Sequence, residues 1–288
     1  MSSLSHTILK ILSSDTLRLA SVLSLDVSTA RIEVQCLLQE VLHVQRAYLI
    51  AYAERCLSDS EFTHYCILQQ RRLAGEPIAY ILGTREFFGL NLKVTPATLI
   101  PRPDTELLVE LAIDRIPLKE PCTVLDMGTG SGAIALAIAH ACPQAQVLAC
   151  DASAAALAVA EENARALCLT NVRFVQSDWF ASLETQQFAL IVSNPPYISA
   201  DDPHLVQGDV RFEPVSALIS GPDGLNDIRQ IISQASNHLQ PGGWLMLEHG
   251  YDQAVQVRSL LETTKFEAVF SACDLAGIER VSGGRKIA

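Results

Sequence analysis

The chain has 288 residues and a formal net charge of −11, with 32 acidic residues against 21 Lys and Arg. Its 49% hydrophobic and 18% charged content describes an ordinary globule with ample core. The acid surplus disfavours a grip on nucleic-acid phosphates, which needs a basic surface and the counterion release it brings. No apolar run approaches the roughly 20 residues that cross a bilayer, and the N-terminus lacks a basic-then-apolar export signal, so the expected location is the cytoplasm.

Taken in chain order, the first segment has helical spacing. Leu4, Ile8, Ile11 and Leu12 mark one apolar stripe and Leu37, Leu38, Val41 and Val44 another. Ser58-Asp59-Ser60-Glu61 is a capping-box pattern opening a helix that should run to about Leu73, after which Gly75 and Pro77 punctuate. Residues 1–84 therefore read as a small helical bundle. Residues 85–104 read as a connector: Glu86 to Val94 alternates about a Gly89-Leu90-Asn91 turn as a β-hairpin, and two prolines stiffen Ile100-Pro101-Arg102-Pro103. That loop fits a wall of a site and a plain linker equally well. Asp104 is placed to cap a helix starting at Thr105, where a catalytic domain, 105–288, would begin.

Thr123 to Asp126 reads as a buried strand, followed by Gly128-Thr129-Gly130-Ser131-Gly132 and an Ala/Ile/Leu-rich helix through about Ala141. Glycines there permit tight turning and close approach of a ligand, and free N–H groups at the helix start favour an anion. A second strand, Gln146 to Asp151, ends in an acid about twenty residues past the loop, the spacing at which a carboxylate meets ribose hydroxyls. Gly128-x-Gly130-x-x-Ala133 also matches the dinucleotide fingerprint, so nicotinamide or flavin competes with S-adenosylmethionine at this point. With S-adenosylmethionine, the cofactor carboxylate would meet the loop N–H groups and Asp151 the ribose. A third strand, Val172 to Gln176, runs into Ser177-Asp178-Trp179, where Asp178 can read adenine's amino edge and Trp179 can pack on its ring.

The fourth strand, Phe188 to Val192, leads to Asn194-Pro195-Pro196-Tyr197. Each proline disfavours the α region for the residue before it and brings no N–H, so the segment leaves the sheet extended with carbonyls to spare. The Asn194 side-chain oxygen and the Pro195 carbonyl are two acceptors for the two hydrogens of one –NH₂ group, with Tyr197 beside them to cover its face. By itself Pro-Pro merely ends a strand, and the tetrapeptide does not distinguish adenine from an amide.

Beyond it, residues 201–221 form a long polar and aromatic insertion of the kind used for binding loops and lids. A helix from Gly224 to Leu239, a strand at Trp244 to Glu248, a helix near Gln253 to Leu261, and a final strand pair, Phe266 to Ala272 and Ile278 to Val281, complete the set. That last pair is too close for a helical crossover and must be antiparallel. The fold class expected is α/β, a doubly wound sheet with one reversed strand near its edge.

The eight cysteines include no C-x₂₋₄-C pair, and Cys36, Cys122, Cys150 and Cys168 lie in apolar segments, so free thiols in the core and no metal site are expected. His249 at a strand end reads as a satisfied structural histidine, Glu279 and Arg280 as a sheet-supporting pair, and Arg102 and Arg211 as contacts to substrate or struts for loops.

The order Asp126-x-Gly128-Thr129-Gly130-Ser131-Gly132, Asp151, Ser177-Asp178-Trp179 and Asn194-Pro195-Pro196-Tyr197 resembles the amino-methyltransferases, which act on adenine N6 or on glutamine amides. Leu99 to Glu106, Gly208 to Pro214 and Gly277 to Val281 narrow the resemblance to the bacterial release-factor glutamine methyltransferases, the PrmC/HemK family, from about Arg71 onward. Met127 and Ala79 depart from the family's commoner leucine and glutamine. The resemblance implies a Rossmann-like domain, S-adenosylmethionine as methyl donor, and a class I peptide chain release factor as protein substrate, methylated on the glutamine of its Gly-Gly-Gln motif. It implies donor contacts from Gly128, Thr129, Gly130, Ser131, Gly132, Asp151, Asp178, Trp179 and Asn194. Asn194, Pro195, Pro196 and Tyr197 would contact substrate, with Asn194, Pro195 and Tyr197 carrying the chemistry. The rivals are adenine-N6 methylation, which the acidic charge disfavours, and a binding module without activity, which the intact loop, acid and tetrapeptide disfavour.

Overall fold

The computed structural model describes residues 6–117, 120–184 and 186–287. It divides into two compact units, Met1–Gly83 with His204–Phe212, and Thr84–Pro203 with Glu213–Ala288.

The first unit is helical. Helix α1 (Ile8–Leu23) starts at Thr7, whose hydroxyl accepts from Lys10 N at 3.3 Å, and α2 (Val27–Leu42) at Asp26, whose carboxylate accepts from Thr29 N at 2.9 Å. The short α3 (Arg46–Ala51) follows, then α4 (Asp59–Leu73), which opens on the expected capping box: Ser58 N donates to Glu61 at 2.8 Å and Glu61 N to Ser58 Oγ at 3.3 Å. Two backbone donors at the helix start are thus satisfied reciprocally. Pro77 precedes α5 (Ile78–Leu82). Both apolar stripes meet in one core with Ile8, Leu19, Leu37, Leu38, Leu49 and Tyr65; Leu4 lies outside the described residues.

Residues 204–212 of the long insertion belong to this unit through Arg72. Its buried guanidinium pairs with Glu33 at 2.8 Å and Asp209 at 3.0 Å and donates to the Gly75 and Glu76 carbonyls. A buried cation is tolerable only when paired and hydrogen-bonded in this way. Arg211 lies over Phe212 and donates to the Ala74 carbonyl, a strut within the unit.

The second unit opens with the hairpin β1 (Thr84–Phe87) and β2 (Leu90–Lys93). Its turn is Phe88-Gly89, both at positive φ, rather than Gly-Leu-Asn. A two-residue turn of this hand matches the twist of the strands, and Leu90 is needed inside the pairing because it is buried. Asp104 does not cap a helix. It sits inside a 3₁₀ turn, Pro103–Thr105, that runs directly into α6 (Glu106–Ile113), and its carboxylate lies 3.6 Å from Arg280.

Strands β3 (Cys122–Met127), β4 (Ala145–Asp151), β5 (Val172–Gln176), β6 (Phe188–Ser193), β7 (Leu239–Glu248), β8 (Phe266–Cys273) and β9 (Glu279–Lys286) form one sheet. Their order is β5-β4-β3-β6-β7-β9-β8, parallel except for β9, which runs antiparallel to both of its neighbours. Helices α7 (Ala133–Ala141), α8 (Ala154–Ala166), α9 (Asn226–His238) and α10 (Ala254–Thr263) connect the strands and cover two apolar clusters. The order reverses between β3 and β6, and at such a switch point the strand carboxyl ends leave a crevice for ligand.

Several side chains stand elsewhere than expected. Cys150 is buried, whereas Cys168 is exposed at a left-handed residue after α8, where a turn replaces the helix's apolar face. Glu279 and Arg280 do not pair with each other, because neighbours on a strand point to opposite faces; Glu279 meets Arg258 at 2.7 Å and Arg280 meets Asp274 at 3.2 Å. Among the described residues no helix is long and apolar enough to cross a membrane.

Candidate active site

A cavity of about 450 Å³ opens at the carboxyl ends of the parallel strands of the second unit. Gly128, Gly130, Asp151, Asp178, Trp179, Asn194 and Pro196 line it, so the sheet brings together residues up to 68 positions apart in the chain (Gly128 to Pro196). Thr129, Ser131, Gly132, Pro195 and Tyr197 are not among its lining.

The glycine loop owes its form to three left-handed residues, Gly128, Gly130 and Gly132. At Gly132 a side chain would meet Leu136 and Ala160, so the absence of Cβ lets α7 and α8 approach; at Gly130 nothing lies within 4 Å of that position, which faces open space. Four of the five N–H groups of Gly128 to Gly132, all but that of Ser131, are donated within the protein. Gly128 N and Thr129 N both donate to the Cys150 carbonyl at 2.9 and 3.0 Å, Gly132 N to the Thr129 carbonyl at 2.8 Å, and Gly130 N to Asp151 Oδ2 at 2.9 Å. The reason is local: the loop folds back on the end of β4, whose carbonyl and carboxylate reach its donors first.

Asp126 supports the loop from beneath. Its fully buried carboxylate accepts from Thr129 Oγ1 at 2.6 Å and Ala135 N at 3.1 Å, while Oδ1 has no partner. Burial pushes its pKa up to about 7, with these two bonds pulling the other way. Asp151 is anchored by Gly130 N and by Ser153 N at 2.9 Å, and each oxygen keeps a lone pair for a ligand hydroxyl.

Trp179 holds a left-handed backbone and donates its indole N–H to Asp227 at 3.1 Å; Asp227 in turn accepts from Ser220 Oγ at 2.6 Å. The indole is thereby fixed edge-on to a polar anchor, with its ring 3.6 Å from where a Gly128 side chain would stand. A small, largely apolar cavity with a glycine floor, one aromatic ring and three aspartates, Asp151, Asp178 and Asp227, fits a nucleoside-bearing donor such as S-adenosylmethionine.

At the end of β6, Ser193 donates to the Met127 carbonyl at 2.7 Å and ties the strand end to β3. Asn194 Nδ2 then donates to Thr105 Oγ1 at 3.1 Å. Among the described residues no hydrogen bond is made to Asn194 Oδ1 or to the Pro195 carbonyl. Tyr197 turns its hydroxyl to Glu248 Oε1 at 3.3 Å, and Gln253 donates to its carbonyl at 3.0 Å. Burial and the nearby Glu248 charge push the phenol up, so it stays neutral. Glu248, at the end of β7, is itself buried, and burial raises its pKa to about 7 while the Thr105 and Tyr197 hydroxyls hold it down.

The walls of the cavity were only partly legible in sequence. Pro96, Ala97, Thr98 and Leu99 line it, which places the segment before the Ile100-Pro101-Arg102-Pro103 loop on the site. Pro214, Ser216 and Ala217 line it as well, and the buried Glu213 bonds both segments, accepting from Ile100 N at 3.1 Å and pairing with Arg102. Arg102 is therefore a strut for loops. Asp227 gave no signal, being an ordinary polar residue at a helix start. His249 is fully buried and satisfied by the Gly250 carbonyl and by Ser282 Oγ at 2.8 Å, the structural role expected.

Comparison with known proteins agrees with this geometry. Residues 17–83 match the PrmC N-terminal domain and residues 104–208 the Methyltransferase small domain. A release factor glutamine methyltransferase of Salmonella typhimurium is 49% identical over 90% of this chain and 94% of its own length. One of Burkholderia pseudomallei is 52% identical over 88% and 91%. A methyltransferase structure from Pyrococcus furiosus, at 20% identity and a TM-score of 0.53, covers 76% of this chain and 98% of that one and shares the fold. By this identity and coverage the chain belongs to the release factor glutamine methyltransferase family, enzymes whose methyl donor is S-adenosylmethionine.

Proposed function

We propose that the enzyme methylates the side-chain amide nitrogen of the glutamine in the Gly-Gly-Gln motif of class I peptide chain release factors, in the cytoplasm, and that Asn194 and Pro195 hold that amide. Asp151, Asp178 and Trp179 would hold the donor over Gly128 and Gly130, with Thr129, Ser131 and Gly132 shaping the loop beneath. When bound, the donor supplies an electrophilic methyl carbon on a sulfonium.

An amide nitrogen is a poor nucleophile because its lone pair is shared with the carbonyl. Two acceptors that take both N–H bonds draw it toward a tetrahedral geometry and aim the lone pair. Asn194 Oδ1 and the Pro195 carbonyl serve as those acceptors, Pro196 fixes the backbone that carries them, and Tyr197 stands over the held group. Positioning and electrostatic complementarity of this kind supply several kcal/mol, on the order of a 10²- to 10³-fold rate effect per aligned group. No general base is required, since an N-methylated amide cation sheds its proton readily to water.

The observation that carries the reading is the division of labour in the Asn194 amide: its nitrogen is engaged by Thr105 and its oxygen is left as an acceptor beside the cavity. The helical unit, 1–84, would grip the release factor away from the chemistry, joined through 85–104 to the catalytic domain 105–288, and direct contact with nucleic acid is not required. The test is transfer of label from S-adenosylmethionine to release factor, to a release factor with the motif glutamine replaced by alanine, and to DNA. Label confined to the first supports the reading, and label in DNA or in the alanine variant overturns it.

A further inference from the structure

We propose that Asp227 is a positioning residue for the methyl donor, acting through the indole of Trp179. The inference rests on Trp179 packing against the donor in the cavity, the reading given above, and concerns what holds that ring in place.

An aromatic ring on a cavity wall can turn about its side-chain bonds, and a ligand that packs on it must fix them. Trp179 lines the cavity half-buried, so protein packs against only part of the ring. Its one polar side-chain group, the indole N–H, can only donate. Asp227 Oδ1 accepts it at 3.1 Å and so sets the edge of the ring. The backbone of the same residue is fixed separately. Its φ of 47° is a left-handed conformation, unusual for so bulky a side chain and kept only where the surroundings over-determine it. Here the Trp179 carbonyl accepts from Ser177 Oγ at 2.7 Å and from Cys150 Sγ at 3.8 Å, while Ser182 N donates to Ser177 Oγ at 2.9 Å. Backbone and ring are thus pinned from different segments of the chain.

The anchor is itself held in place. Asp227 stands in the first turn of α9, and Ser220 Oγ both donates to its Oδ2 at 2.6 Å and accepts from its backbone N at 2.8 Å. The single hydrogen of that hydroxyl goes to Oδ2, which leaves Oδ1 for the indole. Among the described residues Asp227 makes no ion pair; Arg229, two positions on, meets Asp223 instead. Ser220 is buried, and its segment pairs with the chain that follows Tyr197. Ile198 N donates to the Leu218 carbonyl at 2.9 Å, Ser220 N to the Ile198 carbonyl at 3.0 Å and Ala200 N to the Gly221 carbonyl at 2.9 Å. The ring on the donor side and the chain leaving Asn194-Pro195-Pro196-Tyr197 are therefore tied to one short segment, and Asp227 is its link to the ring. A ring held by such a bond loses little freedom when a ligand packs on it, and the saving is read as affinity.

The experiment uses the full chain and compares wild type with Asp227→Asn, Asp227→Leu, Trp179→Phe, Trp179→Ala and the Trp179→Phe/Asp227→Leu pair. Affinity for S-adenosylmethionine is read by calorimetry, kcat and KM on a purified release factor, and folding by thermal melts. Asp227→Leu should weaken donor binding ~10-fold, with kcat at saturating donor changed less than the affinity. Asp227→Asn should stay within a few-fold of wild type, because its Oδ1 still accepts from the indole. Trp179→Phe keeps an aromatic ring but has no N–H; it should lose at least as much as Asp227→Leu, and the pair no more than Trp179→Phe alone, because both act through one bond. In a Trp244→Phe background, where Trp179 is the one tryptophan left of two, acrylamide should quench its emission more strongly in Asp227→Leu than in Asp227→Asn. The proposal is overturned if a folded Asp227→Leu binds the donor as wild type does, if Asp227→Asn binds as weakly as Asp227→Leu, or if the losses of the pair multiply. Should Asp227→Leu fail to fold, Asp227→Ala takes its place. The Trp179→Ala arm separates the two levels: unchanged donor affinity there removes Trp179 from the donor's site, whereas weak binding there with wild-type binding in Asp227→Leu removes only the positioning role.

Discussion

The glycine loop after β3 and the Asn194–Tyr197 segment after β6 leave adjacent strands of one sheet, yet their polar groups are used in opposite ways. In the loop, Gly128, Thr129, Gly130 and Gly132 all give their N–H groups to protein acceptors. In the segment after β6, two prolines carry no N–H, and the acceptors Asn194 Oδ1 and Pro195 O receive no hydrogen bond among the described residues. The loop thus spends most of its donors on the protein and shapes a cavity, whereas the segment keeps two acceptors without a hydrogen bond. A bound nucleoside needs shape and a few fixed acceptors, while a reacting amide needs partners with nothing else to do.

That contrast predicts different failures on the two sides. The largest effect is expected at Asn194→Ala, which should cut methyl transfer by about 10²-fold or more. Activity kept within a few-fold would remove the distinction between the two segments. Next, Asp151→Ala should act mainly through donor binding: it takes away a carboxylate in the cavity and also frees Gly130 N, so calorimetry should read a loss of about 10-fold or more. An unchanged donor affinity with lost turnover would put Asp151 on the substrate side instead.

Asp126 bears on the loop's self-sufficiency. Its carboxyl, ordinarily near 3.8, is raised to about 7 in the folded protein. A raised folded-state value means that its contribution to stability is whole below about pH 4 and disappears as pH climbs through 7, by up to about 4 kcal/mol. Asp126→Asn should flatten that slope, so that urea unfolding at pH 5 and pH 8 differs less in the variant than in wild type. An equal difference in both would place the pH sensitivity elsewhere, with the similarly raised Glu248 as the first alternative. The smallest effect is expected at Gly130→Ala, where φ is +55° and the space beyond is open. The backbone strain should cost about 1 to 2 kcal/mol of stability, read in the same denaturant titration, with a modest loss of donor affinity as the methyl enters the cavity.

Much of this molecule can be read from local pattern. The strand–glycine–helix order, Asp151 at the end of the second strand, the capping box at Ser58 and the antiparallel final pair are all short-range features, governed by backbone conformation and periodicity, and each appears in the fold where residue types predict it. The hairpin turn reads as Gly89-Leu90-Asn91 in sequence but stands at Phe88-Gly89 in the fold, because Phe88 in a left-handed conformation has no local signal; burial of Leu90 sets the register.

Long-range pairing is a different matter. Nothing in the neighbourhood of Thr105, Glu213, Asp227 or Glu248 marks them as members of the site, since each is an unremarkable polar residue in its own segment. They become significant only when the sheet carries them next to Arg102, Trp179, Asn194 and Tyr197, where exclusion of water favours specific partners for buried polar groups. The chemistry of methyl transfer to an amide is thus written in the order of motifs along the chain. The partner of the Asn194 amide nitrogen is Thr105, 89 positions before it in the chain (194 less 105), because the hydrogen bonds an amide makes depend on what it is packed against.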